Sequence, residues 1–121
     1  MTRTDLYRKA LEKLHIAAAG EPLQAEDIQL VSEKYVSVYA LLAAEGLVSW
    51  GATDDIPDEA DVPMTAILAC ASAVEFDKQP DMLEGAIALH ARQGGPSRAE
   101  MQLRRLMHKP FYYTRSRPEY F

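Results

Sequence analysis

The stretch AEDIQLVSEKYVSVYALLAAEG, from Ala25 to Gly46, constrains this chain more than any other. It spans about six helical turns and holds neither proline nor internal glycine. Ile28, Val31, Tyr35, Val38 or Tyr39, and Leu42 recur at steps of three and four, which draws one apolar stripe along a helix. Leu30, Val36 and Leu41 widen that stripe, so more than one neighbour must pack on it. Glu26 and Asp27 stand in the first turn, where a carboxylate favours the positive end of the helix dipole. Gly46 stands where a left-handed residue closes a helix. Such a helix is expected to be the central staff of an all-α domain.

Around it the chain divides at prolines and glycines. The spacing predicts a first helix from about Asp5 to Ala19, capped by Thr2 or Thr4. Leu6, Ala10, Leu14 and Ala18 share one face, and Gly20 and Pro22 close the helix. The short GEPLQ connection then makes the first two helices antiparallel neighbours. After Gly46 a turn region follows, with a short extended piece at 47–50 and Trp50 as a lid over the helix ends. Pro57 or Pro63 opens a third helix reaching about Asp77. Its alanine, serine and cysteine residues suit close helix approach, so it is expected to be sandwiched in the core. Pro80 starts a fourth helix to about Arg92, and Gly94-Gly95-Pro96 breaks it. Ser97 and Glu100 form a capping box for a fifth helix ending near His108. The expectation is an all-α fold: a small bundle of about five helices over 1–108, followed by an extended C-terminal arm over 109–121.

At 121 residues, 48% hydrophobic and 26% charged, the chain is of globular composition and sufficient for one core. No apolar run approaches the roughly 18 residues of a membrane span, so no membrane partner is expected. The opening MTRTDLYRKAL lacks the apolar core of a signal peptide, which points to an intracellular protein. Cys70 is the one cysteine, too few for an internal disulfide or a multi-thiolate metal site. Its small apolar neighbours place it in the core.

The net charge of −5 is unevenly spread. From Arg92 onward seven basic residues stand against two acidic ones, a net of +5, while the remainder carries a net of −10. An acidic body argues against tight wrapping of nucleic acid. The basic end suits phosphate or an acidic protein surface.

The final segment KPFYYTRSRPEYF carries five of the aromatic residues: Phe111, Tyr112, Tyr113, Tyr120 and Phe121. Its two prolines oppose a helix, and no strand alternation is present. Ordering such a segment costs backbone entropy that its rings offset only when almost wholly covered. A small body with its own core to cover offers little room for them. The arm is therefore expected to dock on another protein or another subunit.

Chemistry is sparse. His15, His90 and His108 fall on three different predicted helices, none with a second ligand at metal spacing. The acidic run from Asp54 to Asp61 lacks the spacing of a calcium loop. No phosphate-binding glycine loop, HExxH or GxSxG motif occurs. The expectations are no enzyme, no catalytic residue, no metal and no cofactor.

Two segments carry a resemblance. LYRKALEKLHIAAAGEPLQAEDIQLVSEKYVSVYALLAAEGL resembles the opening of the tailed-phage head-to-tail adaptor proteins, of the head-completion or packaged-DNA-stabilisation type. In that family a helix ends in an Ala-Gly-Glu turn, here Ala19 to Glu21. A proline follows, here Pro22, and then a long helix closes on Glu-Gly-Leu, here Glu45 to Leu47. IPDEADVPMTAILACASAVEFDKQPDML is similar to the next helix pair: Ile-Pro, an alanine-rich helix, and a Phe before a Pro-led helix. The likeness covers roughly residues 5–107 and leaves the tail unmatched.

The resemblance implies a ring of subunits, typically a dodecamer, under the portal vertex of a virion, made in the host cytoplasm. The implied partners are the portal protein, neighbouring copies, a downstream tail or nozzle protein, and DNA passing without sequence-specific binding. Such adaptors reach into the portal with a C-terminal arm. Phe111, Tyr112, Tyr113, Tyr120 and Phe121 would then be anchors, with Arg115 and Arg117 pairing with portal carboxylates. The alternative is a helical DNA-binding or regulatory module using Arg98, Arg104, Arg105 and Lys109. A small enzyme or metal carrier is a more distant one.

Overall fold

The computed structural model describes residues 1–79, Gly85 and 97–115, without the side chains of 107–115. Four helices and two short 3-10 turns make up the described elements, with no strand among them. They are α1 (Arg3–Lys13), α2 (Ala25–Ala44), α3 (Asp61–Ser72) and α4 (Arg98–Arg115), with 3-10 turns at Asp58–Ala60 and Ala73–Phe76. The all-α class is as the periodicity predicts. The fourth predicted helix, 80–92, lies outside the described residues apart from Gly85.

α1 starts where Thr2 caps it. Thr2 Oγ1 accepts from the Asp5 amide at 3.1 Å, and Asp5 accepts from the Thr2 amide at 3.3 Å. Those hydrogen bonds hold the Asp5 carboxyl below its usual range. The helix ends six residues before the expected Ala19. The cause is His15, whose φ of 61° is left-handed. The His15 amide donates to Glu12 O at 3.0 Å and the Ile16 amide to Leu11 O at 3.0 Å, the paired bonds of a Schellman closure. Ile16 packs on the core and fixes that turn. Gly20, at φ 82°, belongs instead to a separate turn in which the Glu21 amide reaches Ala18 O.

The same closure recurs twice. At the end of α2, Gly46 has φ 70°, and its amide and that of Leu47 bond Ala43 O and Leu42 O. After α3 and its 3-10 extension, Asp77 has φ 59°, and its amide and that of Lys78 bond Val74 O and Ala73 O. Only Gly46 meets the left-handed region without a Cβ penalty. His15→Gly is therefore expected to raise the unfolding free energy by about 0.5–1 kcal/mol. Urea titration of the two proteins reads this as a higher midpoint at unchanged slope.

The hub of the bundle is α3 and not α2, which corrects the expectation of a central second helix. α1, α2 and α4 all pack on α3. The physical reason is size: Ala66 and Ala69 of α3, and Ala73 just after it, are buried and let the other helices come close. Gly85 lies close to α3 as well: a Cβ there would lie 2.1 Å from Ala66 O and 3.0 Å from Cys70 Cβ. Cys70 itself is half-buried, less covered than expected. Leu6, Leu11, Val31, Tyr35, Leu42, Met64, Ile67, Leu68 and Leu103 fill the space between the helices.

At α4 the expected capping box is present. The Ser97 amide donates to Glu100 Oε1 and the Glu100 amide to Ser97 Oγ, both at 3.2 Å, with both residues buried. α4 then runs seven residues past the expected end at His108. The arm expected to be extended from Lys109 is thus helical through Arg115. Pro110 removes one backbone bond, but the helix is already nucleated by its cap and held by buried Leu103. Each further residue adds a bond at little cost.

Candidate interaction surfaces

The predicted anchors lie at the end of α4 and beyond it. The backbone of Phe111, Tyr112, Tyr113 and Arg115 is helical, while their side chains are not among the described ones. Arg117, Tyr120 and Phe121 lie outside the described residues.

Two open grooves on the body bear on binding. The first lies between α1 and α2, with a volume of about 570 Å³. Arg3 and Tyr7 of α1 border it, α2 supplies Gln29, Glu33, Tyr35, Val36, Tyr39 and Ala40, and Ala52 closes one end. Beneath it the rings interlock. Tyr7 meets Tyr35 edge-on with centroids 5.9 Å apart, and Tyr39 lies 6.3 Å from Tyr35. Trp50 Nε1 donates to Tyr35 Oη at 3.1 Å, and the Tyr39 hydroxyl donates to the Trp50 carbonyl. Trp50 is half-buried on the core and bonds Tyr35 and Tyr39 within α2, not the helix ends that the sequence predicts for it.

Burial drives the pKa of both Tyr7 and Tyr35 above the usual tyrosine value of 10.0. A raised folded-state pKa contributes stability that is complete below pH 10 and is lost as pH climbs through the folded value. Alkaline titration followed by phenolate absorbance should show Tyr7 and Tyr35 ionising late and together with unfolding. A single step near pH 10 for all six tyrosines would contradict this.

The second groove, of about 310 Å³, lies between the start of α3 and α4. Glu59, Val62, Pro63, Gln102, Arg105 and Leu106 line it. Val36 beside the first groove and Val62 beside the second are 69% and 64% exposed, which is unusual for valine. The sequence predicts Val36 under a neighbour, since it widens the apolar stripe of α2. Neither groove was read from the sequence. The one available signal was the run from Tyr35 to Ala44, which carries no charge although much of its outer face is exposed.

Several charged groups form structural ties. Lys9 Nζ bonds Asp61 Oδ2 at 2.5 Å and joins α1 to α3, and that bond raises the Lys9 pKa. Asp61 also accepts from Thr65 Oγ1, and Asp58 accepts from the Met1 amino group at 3.0 Å. Asp54 closes the turn at Gly51. Three acids of the Asp54–Asp61 run are thus engaged in holding the fold. Among the described residues no group of three His, Cys, Asp or Glu is placed to hold a metal. Nor is any described helix long and apolar enough to cross a membrane. On α4, Arg98, Arg104 and Arg105 are exposed, and Arg104 lies 3.8 Å from Glu45.

Comparison with known protein families, with curated proteins and with solved structures finds no match to this chain. What these surfaces offer chemically is binding: apolar floors with charged rims.

Proposed function

We propose that this chain is a structural head-to-tail adaptor of a tailed phage. It forms a ring beneath the portal vertex, anchors by its C-terminal end, joins the next tail component and helps retain packaged DNA. The finer architecture belongs to the same proposal: a bundle of about five helices presenting an arm over 109–121 to the portal protein.

One observation carries the reading. Five aromatic residues and a net positive charge are gathered at one end of a chain whose remainder is strongly acidic. Rings of that number suit an anchor that is covered by another protein. Arg115 and Arg117 supply bidentate partners for carboxylates. Repeated around a ring, arms of modest individual affinity add to firm attachment. An acidic body facing the channel repels DNA and lets it slide. The resemblance over residues 5–107 agrees with this division of labour.

The direct test is deletion of 109–121. The shortened protein is expected to keep its helical circular dichroism and to lose capture by portal rings in a pull-down. Retained capture would remove the arm from its role. The exposed arginines of α4 favour one second reading, a helical DNA-binding or regulatory module. A salt-dependent shift of free duplex DNA at sub-micromolar protein would support it.

A further inference from the structure

The two grooves of the body complement each other. Each carries one acid and one base on its rim: Arg3 and Glu33 on the first, Glu59 and Arg105 on the second. None of the four makes a salt bridge among the described residues. Glu33 is steadied by Gln29, whose Nε2 donates to Glu33 Oε2 at 2.8 Å. Each groove also has one strongly exposed valine beside an apolar floor: Tyr35 and Tyr39 in the first, Pro63 and Leu106 in the second. The two surfaces share no residue and no helix.

We propose that they are the two halves of one head-to-tail interface between copies of this chain. The Arg3–Glu33–Val36 face of one copy seats on the Glu59–Val62–Arg105 face of the next. Val36 enters the α3–α4 groove as a ridge, and Val62 enters the α1–α2 groove in return. Glu33 then meets Arg105, and Arg3 meets Glu59, so that both rims are neutralised by opposite charge. Two different patches in contact make a heterologous interface, which closes into a ring or extends as a filament. The inference rests on the self-assembly part of the reading above and leaves the arm free for its own partner.

Cysteine capture in the full chain tests it. Protein carrying Val36→Cys is mixed with protein carrying Val62→Cys under mild oxidation; both sites are exposed, so the fold tolerates the change. Wild-type protein, with Cys70 alone, sets the background. The mixed disulfide is expected to form at least about tenfold faster than either homodimer, because the contact raises the effective concentration of the unlike thiols. Adding Glu33→Arg to the first protein should bring the rate down to that of the homodimers. Adding Arg105→Glu to the second should then restore it. Homodimers forming as fast as the mixed species, or a charge swap that fails to restore the rate, would overturn the interface. Deleting 109–121 should leave the cross-link intact, so loss of this interface and loss of portal capture read out separately.

Discussion

Tyr35→Ala is expected to lower the unfolding free energy by about 3–5 kcal/mol, a large share of the stability of a domain this size. Tyr35 is 1% exposed and stands at the junction of three elements. Its ring is edge-on to Tyr7 of α1, beside Tyr39 one turn along α2, and under Trp50 of the following loop. Truncation leaves a cavity that those rings are too rigid to fill. It also removes the acceptor for Trp50 Nε1, leaving a half-buried donor unsatisfied. Tyr35→Phe keeps the packing and loses only the acceptor, so its cost should be nearer 1 kcal/mol. Urea midpoints for the pair separate the two contributions. Equal losses would mean that the hydroxyl, and not the ring, holds this corner.

Gly85→Ala is the second large effect, with an expected loss of about 3 kcal/mol, at the upper end for overpacking. The added Cβ would fall 2.1 Å from a backbone carbonyl oxygen, Ala66 O, and 3.0 Å from Cys70 Cβ. A side-chain end moves aside easily, but a carbonyl inside α3 does not. The two segments must separate, and the separation passes into the hub on which α1, α2 and α4 pack. Cys70→Gly alongside Gly85→Ala should recover little, because the carbonyl is the main obstacle. Thermal unfolding of the single and double variants checks this. Substantial recovery in the double variant would place the obstacle at Cys70 instead.

Much of the fold was legible in the sequence where a local signal has one meaning. Gly46 closes α2, Thr2 caps α1, and Ser97 with Glu100 caps α4, each as its residue type requires. Legibility stopped where a residue acts against its type. His15 takes a left-handed conformation that glycine favours, so α1 ends well before the glycine that seemed to stop it. Pro110 sits inside a helix that its residue type predicts to end before it. The hub is not legible for another reason: periodicity shows that a helix has an apolar face but not which face meets which. The alanines of α3 held the better clue. Of the proposed binding surfaces, the aromatic and basic end is visible in composition. The two grooves are not, because each forms only when two distant segments pack side by side. Val36 shows this most clearly, as an apolar residue on a core-like stripe that ends up on the surface.

The central claim is that the aromatic end of the chain is covered by a foreign protein. A photo-activated cross-linking residue in place of Tyr113, in full-length protein assembled on portal rings, tests it most directly. The expected result is a covalent adduct to a portal subunit, formed only when the ring is present. Adducts confined to the protein's own chain, unchanged by the ring, would contradict it.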